Sequence, residues 1–270
     1  MIRPLFGAAF IVALLAVDAS ANYCPRALHR ATRLVIITVP SMGSVKASMH
    51  TFERKSPAAS WERRSEPEPA VVGAAGIGWG QTFASLAKKD EPVKREGDKR
   101  TPAGVFRLGP TFGFERQDIA GHVKLLPGKS FCVDDATSPQ YGRIVDRSKA
   151  AEAKSGEDMA TVPLNKRGIV VNYPALRGAK AGSCIFVHVW GGDSVGTAGC
   201  VALPEARVAD LQKWSGTRFT AIAILAEDAA ERFKGCLPLG TATSRHEEPA
   251  TPLRNPRRLQ GDGRRAELSR

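Results

Sequence analysis

The alternation of apolar and polar positions predicts a chain built mostly from short β-strands. RLVIITV (33–39) is apolar and β-branched, and VKASMHTFER (45–54) alternates well enough to pair with it across the PSMGS turn. Further strands are predicted in AVVGAAGIGWG (70–80), VFRL (105–108), RGIVVNYP (167–174), SCIFVHVW (183–190) and TRFTAIAILA (217–226). No helix is predicted after the glycine-rich 70–80 segment, so a nucleotide-binding loop is disfavoured there.

One segment stands out as helical. PEARVADLQKW (204–214) has proline in its first turn, Glu205 near the positive end of the helix dipole and Gly216 as a stop. Val208, Leu211 and Trp214 fall on one face, and a second, short helix is predicted within 148–159. Many strands and few helices predict a mainly β domain, a sandwich or barrel with helices at its margin.

The two ends of the chain differ from the middle. Residues 1–21 hold Arg3, an apolar run and the triplet Ala19, Ser20, Ala21, a pattern typical of a secretory signal peptide. The apolar run is shorter than the roughly 20 residues that span a bilayer, so we expect no stable membrane anchor after cleavage. Residues 238–270 are basic and lack apolar periodicity, which predicts a disordered tail. One domain is therefore expected at 22–237, in the periplasm or cell envelope.

Charge and cysteine count narrow the function further. The formal net charge of +12 favours polyanions, yet no nucleic-acid-binding motif is present and an exported protein meets an anionic envelope instead. The five cysteines leave one unpaired in an oxidising compartment. Cys24, Cys132, Cys184 and Cys236 allow three disulfide pairings, which the sequence leaves open, and Cys200 is the predicted free thiol.

Two candidate sites in HVWGGDSVGTAGCVAL (188–203) are disfavoured. Residues 192–196 match G-x-S-x-G around Ser194, but loop and strand follow where a helix is required, and the downstream His246 lies in the tail. A metal set of Cys184, His188 and Cys200 fails because Cys184 and His188 stand about 13 Å apart on an extended strand. Asp134 and Asp135 are adjacent and are expected to serve in turns or caps.

The third candidate is a cysteine nucleophile with a histidine base. His188 lies near the end of a predicted strand, and the glycine-rich loop that follows returns the chain to Cys200. An adjacent imidazolium would lower the pKa of the thiol. Gly199, having no side chain, lets backbone N–H groups, including that of Cys200, converge on an oxyanion.

These segments also carry a resemblance. KREGDKRTPAGVF (94–106), CVDD (132–135) with Tyr141, and SCIFVHVWGGDSVGTAGCVAL (183–203) resemble, in this order, the YkuD-type L,D-transpeptidase family in its branch with a TAGC motif. The resemblance covers about 33–226 and implies Cys200 as nucleophile, His188 as base, and Thr197 with Gly199 as the oxyanion loop. Ala198 stands where the commoner pattern has a second histidine.

The resemblance implies an exported enzyme that acts on peptidoglycan stem peptides, without a metal or other cofactor. The expected reaction is a Cys200 thioester resolved by an amine, giving 3→3 crosslinks. An L,D-carboxypeptidase or hydrolase of the same fold, and an inactive wall-binding protein, remain open. Trp190 and Tyr141 are predicted to line a substrate groove with the GGDSVG loop.

Overall fold

The computed structural model describes residues 24–216 and 218–238, and over these residues the chain is mainly β, as predicted. It has one α-helix, α1 (Glu205–Ser215), and 3-10 helices at Arg26–Leu28, Gln81–Leu86, Arg147–Ala150, Pro163–Lys166, Arg177–Ala179 and Glu227–Phe233. The strands are β1 (Arg33–Val39), β2 (Lys46–Glu53), β3 (Glu62–Arg63), β4 (Glu68–Val71), β5 (Ile77–Trp79), β6 (Thr101–Gly113), β7 (Val123–Lys124), β8 (Ser130–Cys132), β9 (Ile144–Asp146), β10 (Glu157–Asp158), β11 (Arg167–Val171), β12 (Phe186–Val189), β13 (Val201–Leu203) and β14 (Thr220–Ala226).

Eight strands close into a ring. Their order is β1-β14-β6-β11-β12-β13-β4-β2, and β2 pairs back onto β1. β3 extends the ring beside β2, while β5 and β7 pair with β6. The strands β10-β8-β9 form a separate three-stranded sheet, called the small sheet below. The mainly β sandwich or barrel class expected from the sequence is thus confirmed.

The interior of the ring explains the apolar runs. Every residue of β14 is buried, and its register with β1 runs in parallel from Arg33↔Thr220 to Val39↔Ala226. Continuous apolar sequence is typical of strands covered on both faces. Helix α1 packs Val208 and Leu211 inward and ends at Gly216, as its sequence predicts.

Several boundaries differ from the prediction. Strand β6 covers thirteen residues where the sequence predicted four, because it pairs with β14, β11, β5 and β7 in turn. The 183–190 segment is extended only at Phe186–Val189, since Cys184 adopts φ +53°. A 3-10 helix does follow the glycine-rich segment. The short helix predicted within 148–159 is a 3-10 turn at Arg147–Ala150, capped by the Asp146 carboxylate, and the same segment also holds strand β10.

The predicted signal peptide, 1–21, and almost all of the predicted tail lie outside the described residues. Within the described part of the chain, no helix is long and apolar enough to cross a membrane.

Candidate active site

The loop between β12 and β13 brings His188 and Cys200 to one cavity. The two strands are parallel neighbours, with His188 opposite Ala202. Because side chains alternate along a strand, Cys200, two residues before Ala202, is directed to the same face as His188. Both residues line a cavity of about 370 Å³, together with Thr197 and Gly199.

The hydrogen bond of the imidazole fixes which nitrogen is basic. His188 is 9% exposed, and its Nδ1 lies 2.7 Å from the Val189 carbonyl oxygen. A carbonyl can only accept, so Nδ1 carries the proton and Nε2 holds the free lone pair of the neutral ring. Burial lowers the pKa of His188 against a smaller opposing effect of this bond. The ring is therefore a neutral base near pH 7.

Cys200 has the only thiol outside a disulfide among the described residues, as predicted, and it is partly exposed. Its Sγ accepts from the Phe186 N–H at 3.3 Å and donates to the Cys184 carbonyl at 3.5 Å. Behind it lies an apolar cluster of Phe112, Leu125, Cys132, Met159 and Phe186.

This environment acts against the expected lowering of the thiol pKa. Desolvation raises the pKa of the Cys200 thiol to about 12, opposed by the Phe186 N–H, and Glu157 raises it further. The sequence suggested an imidazolium that lowers this pKa, but burial disfavours the charged form of both partners. Burial thus favours a neutral thiol and a neutral imidazole in the cavity that both residues line.

Two threonines hold the peptide that follows the nucleophile. The hydroxyls of Thr197 and Thr101 donate to the Cys200 carbonyl oxygen at 2.6 and 2.9 Å. Thr101 lies 99 positions away and was not singled out from the sequence. This clamp turns the Cys200 carbonyl toward the two hydroxyls.

The two backbone N–H groups of the predicted oxyanion loop differ in whether they are already bonded. Gly199 has φ +144°, and an added Cβ would stand 3.0 Å from the Arg100 carbonyl oxygen, so glycine is required. The Gly199 N–H donates to the Thr197 hydroxyl at 3.1 Å and is already used. Over residues 24–216 and 218–238, the Cys200 N–H has no acceptor, so it is free to donate to a bound group.

The disulfides settle the pairing that the sequence left open. Cys24 pairs with Cys236, and Cys132 pairs with Cys184. Cys184 is therefore unavailable to the rejected metal set. The second bridge ties the small sheet, through β8, to the segment before β12 that borders the cavity.

The rejected serine site stays apart from the cavity. Ser194 is exposed and donates to the Asp193 carboxylate at 2.7 Å. The loop that carries it continues through Cys200 into β13 and forms no strand-to-helix elbow. The neighbouring Gly191 and Val195 do line the cavity.

The aromatic residues do not form the walls that the sequence suggested. Tyr141 is 6% exposed, and its hydroxyl donates to Glu96 while accepting from the Gly182 N–H at 3.2 Å. Neither Tyr141 nor Trp190 is among the described residues that line the cavity. Tyr141 instead supports Glu96 from behind, because local spacing does not reveal which face a side chain takes after folding.

Charged groups line the cavity instead. Glu96, Asp134 and Glu157 contribute carboxylates, and Lys94 contributes an ammonium. Desolvation raises the pKa of Glu157, with a further contribution from Asp134, although part of the Glu157 side chain stays exposed. Asp135 accepts from Thr137 and from the Lys154 N–H, the capping role expected of it.

A larger cavity of about 730 Å³ lies elsewhere, near the Cys24–Cys236 bridge. Its described lining includes Phe83, Phe106 and Phe233 but neither His188 nor Cys200. The predicted catalytic pair therefore lies in the smaller cavity.

No protein-family model and no curated protein matches the chain. Among solved structures, it is similar to the helical cell shape determining protein Pgp2 from Campylobacter jejuni, with 14% identity and a TM-score of 0.38. That alignment covers 73% of this chain and 48% of the other. Bdellovibrio bacteriovorus Bd1075 aligns with 15% identity and a TM-score of 0.37, covering 76% of this chain and 54% of that one. The chain thus spans about half the length of these two structures.

Proposed function

We propose that the chain is an exported cysteine acyltransferase of the YkuD L,D-transpeptidase type, acting on peptidoglycan stem peptides. The observation that carries the proposal is one cavity lined by the free thiol of Cys200 and by His188, whose Nδ1 is bonded and whose Nε2 is basic. The three sequence segments that resemble this family supply the substrate class and the cell-envelope location.

The first half-reaction uses the neutral pair. As Cys200 Sγ attacks the carbonyl before a terminal D-alanine, His188 Nε2 removes the thiol proton, so a free thiolate need not accumulate. The Cys200 N–H stabilises the oxyanion, and Thr101 and Thr197 fix the carbonyl on the other side of the same residue. The imidazolium then returns its proton to the departing amine, which leaves a thioester.

The second half-reaction resolves the thioester. An amine of a neighbouring stem attacks the acyl carbon and gives a proton to His188, which passes it to the departing Cys200 sulfur, so that the thiol is regenerated and a 3→3 crosslink remains. Positioning the amine beside the acyl carbon gives an advantage of up to roughly 7–11 kcal/mol over an unbound nucleophile. The peptide bond that was cleaved supplies the acyl group, so no ATP is required.

The test uses protein lacking residues 1–21 and disaccharide tetrapeptides. We expect 3→3 dimers with release of D-alanine, and Cys200→Ala and His188→Ala should lose this release. Ser194→Ala is the matched control, because Ser194 is exposed on the same loop, and it should stay within about twofold of wild type.

The products separate the alternatives. Tripeptide monomers alone, at high acceptor concentration, would show that water resolves the thioester and that the protein is an L,D-carboxypeptidase. Folded protein that releases no D-alanine would reject both enzymes in favour of a wall-binding role. If Ser194→Ala and Cys200→Ala lose D-alanine release to the same extent, the serine hydrolase interpretation is favoured instead.

A further inference from the structure

Lys94 is a buried cation on the wall of the Cys200 cavity that the reaction above does not use. It is 2% exposed, and it lines the same cavity as Cys200 and His188. Burying an ammonium costs several kcal/mol of hydration unless partners hold it. Its position therefore calls for both partners and a purpose.

The partners leave part of the ammonium unused. Lys94 Nζ donates to the Arg95 carbonyl oxygen and to Asp98 Oδ1, both at 2.6 Å. An ammonium has three donors, and within the described residues these are its two acceptors. Gly182 borders the side chain, because an added Cβ there would stand 2.8 Å from Lys94 Cε.

Asp98 does not belong to Lys94 alone. Its Oδ1 also accepts from the Arg100 N–H at 2.9 Å, and its Oδ2 accepts from the Arg95 N–H at 2.7 Å. The negative charge of Asp98 is shared among three donors, so the ammonium keeps positive character toward the cavity.

Among the described lining residues, Lys94 has the only side chain with a fixed positive charge, and Glu96, Asp134 and Glu157 contribute carboxylates. Glu96 is engaged by the Tyr141 and Ser183 hydroxyls. An anionic group of a substrate would meet repulsion at the carboxylates and attraction at Lys94. Charge-assisted bonds of this kind are strong in a cavity shielded from water.

We propose that Lys94 binds a carboxylate of the substrate, the terminal carboxylate of the residue that leaves when Cys200 is acylated. This rests on the proposed function for the identity of the substrate but not for the presence of an anion-binding group beside the thiol. It makes Lys94 a specificity-determining residue, which favours stems whose leaving residue ends in a free carboxylate over stems whose leaving residue is amidated.

The first experiment needs no peptidoglycan. The rates of Cys200 alkylation by anionic iodoacetate and neutral iodoacetamide are measured for wild type, Lys94→Gln and Lys94→Gln/Asp98→Asn. We expect the iodoacetate-to-iodoacetamide ratio to fall about tenfold in both variants, the effect of losing one hydrogen bond to a charged group. Lys99→Gln, an exposed lysine of the same segment, should keep the wild-type ratio.

The double variant keeps the test decisive. The single variant Lys94→Gln leaves the Asp98 carboxylate without its cation, which could unfold the protein. The double variant replaces both charges by amides of similar shape, so it should stay folded, and thermal melting checks this. A wild-type ratio in the folded double variant would overturn the proposal, because it would mean that only net charge matters.

The second experiment compares a tetrapeptide stem with its C-terminal amide. Wild type should prefer the free acid by about tenfold in kcat/KM, and Lys94→Gln/Asp98→Asn should lose the preference. Equal use of both by wild type would overturn the proposal. If wild type acts on neither stem, the proposed function fails, while the alkylation ratio still decides whether Lys94 binds anions.

Discussion

At the scale of single residues, desolvation determines the protonation states of Cys200 and His188 more than their mutual charge does. Cys200 packs against an apolar cluster, and His188 is 9% exposed. Both groups are driven to their neutral forms, so the pair differs from a preformed thiolate and imidazolium.

This predicts the pH dependence of thiol labelling. A pKa of about 12 keeps Cys200 protonated through the range in which ordinary thiols ionise near 8.5. Pseudo-first-order labelling with iodoacetamide should therefore keep rising about tenfold per pH unit from 8 to 10.5, while a small thiol reference levels off. Circular dichroism at each pH checks folding, and a plateau below pH 8 would indicate an ion pair instead.

The two threonines of the peptide clamp should differ in their contribution to stability. Each hydroxyl also accepts from a backbone N–H, Thr101 from Gly73 at 2.8 Å and Thr197 from Gly199 at 3.1 Å. Thr101 is fully buried, so water cannot replace its hydroxyl in Thr101→Val, whereas water can reach the partly exposed position 197. We expect Thr101→Val to lower the free energy of unfolding by about 1–3 kcal/mol, against about 0.5–1.5 for the partly exposed Thr197→Val. Urea unfolding measures both, and the reverse ranking would contradict the clamp as described.

At the scale of elements, two disulfides do different work. Cys24–Cys236 joins segments 212 positions apart, near the two ends of the described chain. Cys132–Cys184 joins segments 52 positions apart and holds the small sheet against the segment before β12. Only the second contributes a residue to the lining of the cavity that holds Cys200 and His188, since Cys184 lies there.

The two bridges therefore serve as controls for one another. Cys24→Ala/Cys236→Ala should lower the free energy of unfolding by about 2–5 kcal/mol, because it releases a long loop in the unfolded chain, and Cys200 labelling should keep its wild-type rate. Cys132→Ala/Cys184→Ala should also destabilise, and it should speed labelling as the cavity wall loosens. Chemical unfolding and labelling rates test both claims. Equal labelling rates in the two variants would show that the Cys132–Cys184 bridge does not affect access to Cys200.

At the scale of the whole molecule, buried ionisable groups link stability to pH. Desolvation lowers the pKa of both His188 and His50. A group whose pKa is lower in the folded state binds fewer protons there than in the unfolded chain. The free energy of unfolding therefore decreases as the pH falls below about 6.5, which is the pKa of a histidine in an unfolded chain.

A second window follows at lower pH. Hydrogen bonds from Arg232 lower the pKa of Glu91 to about 2. The stability that this pair contributes is therefore fully present at pH values above the pKa of Glu91 in the unfolded chain, and it is lost as the pH falls toward 2. Glu157 acts in the opposite direction, because its pKa is raised and it favours folding at lower pH.

We therefore expect the free energy of unfolding to fall between pH 7 and pH 5, with a slope of up to about 1.4 kcal/mol per pH unit for each histidine. His188→Gln should reduce this slope because glutamine does not titrate. His50→Gln should remove the separate contribution of His50 to the slope. Urea unfolding at each pH gives the slope. An unchanged slope in His188→Gln would show that the ring is not held neutral by burial.

The sequence by itself determined what short-range patterns encode. β-branched apolar runs specified β1 and β14, and proline, Glu205 and Gly216 specified α1, because these signals act within a few residues. The odd cysteine count and the segment that ends in TAGC distinguish Cys200 and His188 without knowledge of the fold. The mainly β class followed from the same patterns.

Only the tertiary structure decided what depends on distant neighbours. It chose one of three disulfide pairings, closed eight strands into a ring and brought Thr101 to Cys200. It also placed Lys94 on the cavity wall and left Tyr141 behind it. The pKa of a thiol reflects all the groups that replace water around it, and in this chain those groups come from strands far apart in sequence. Local spacing predicts which residues carry the chemistry, whereas the enclosing fold sets their protonation and their partners.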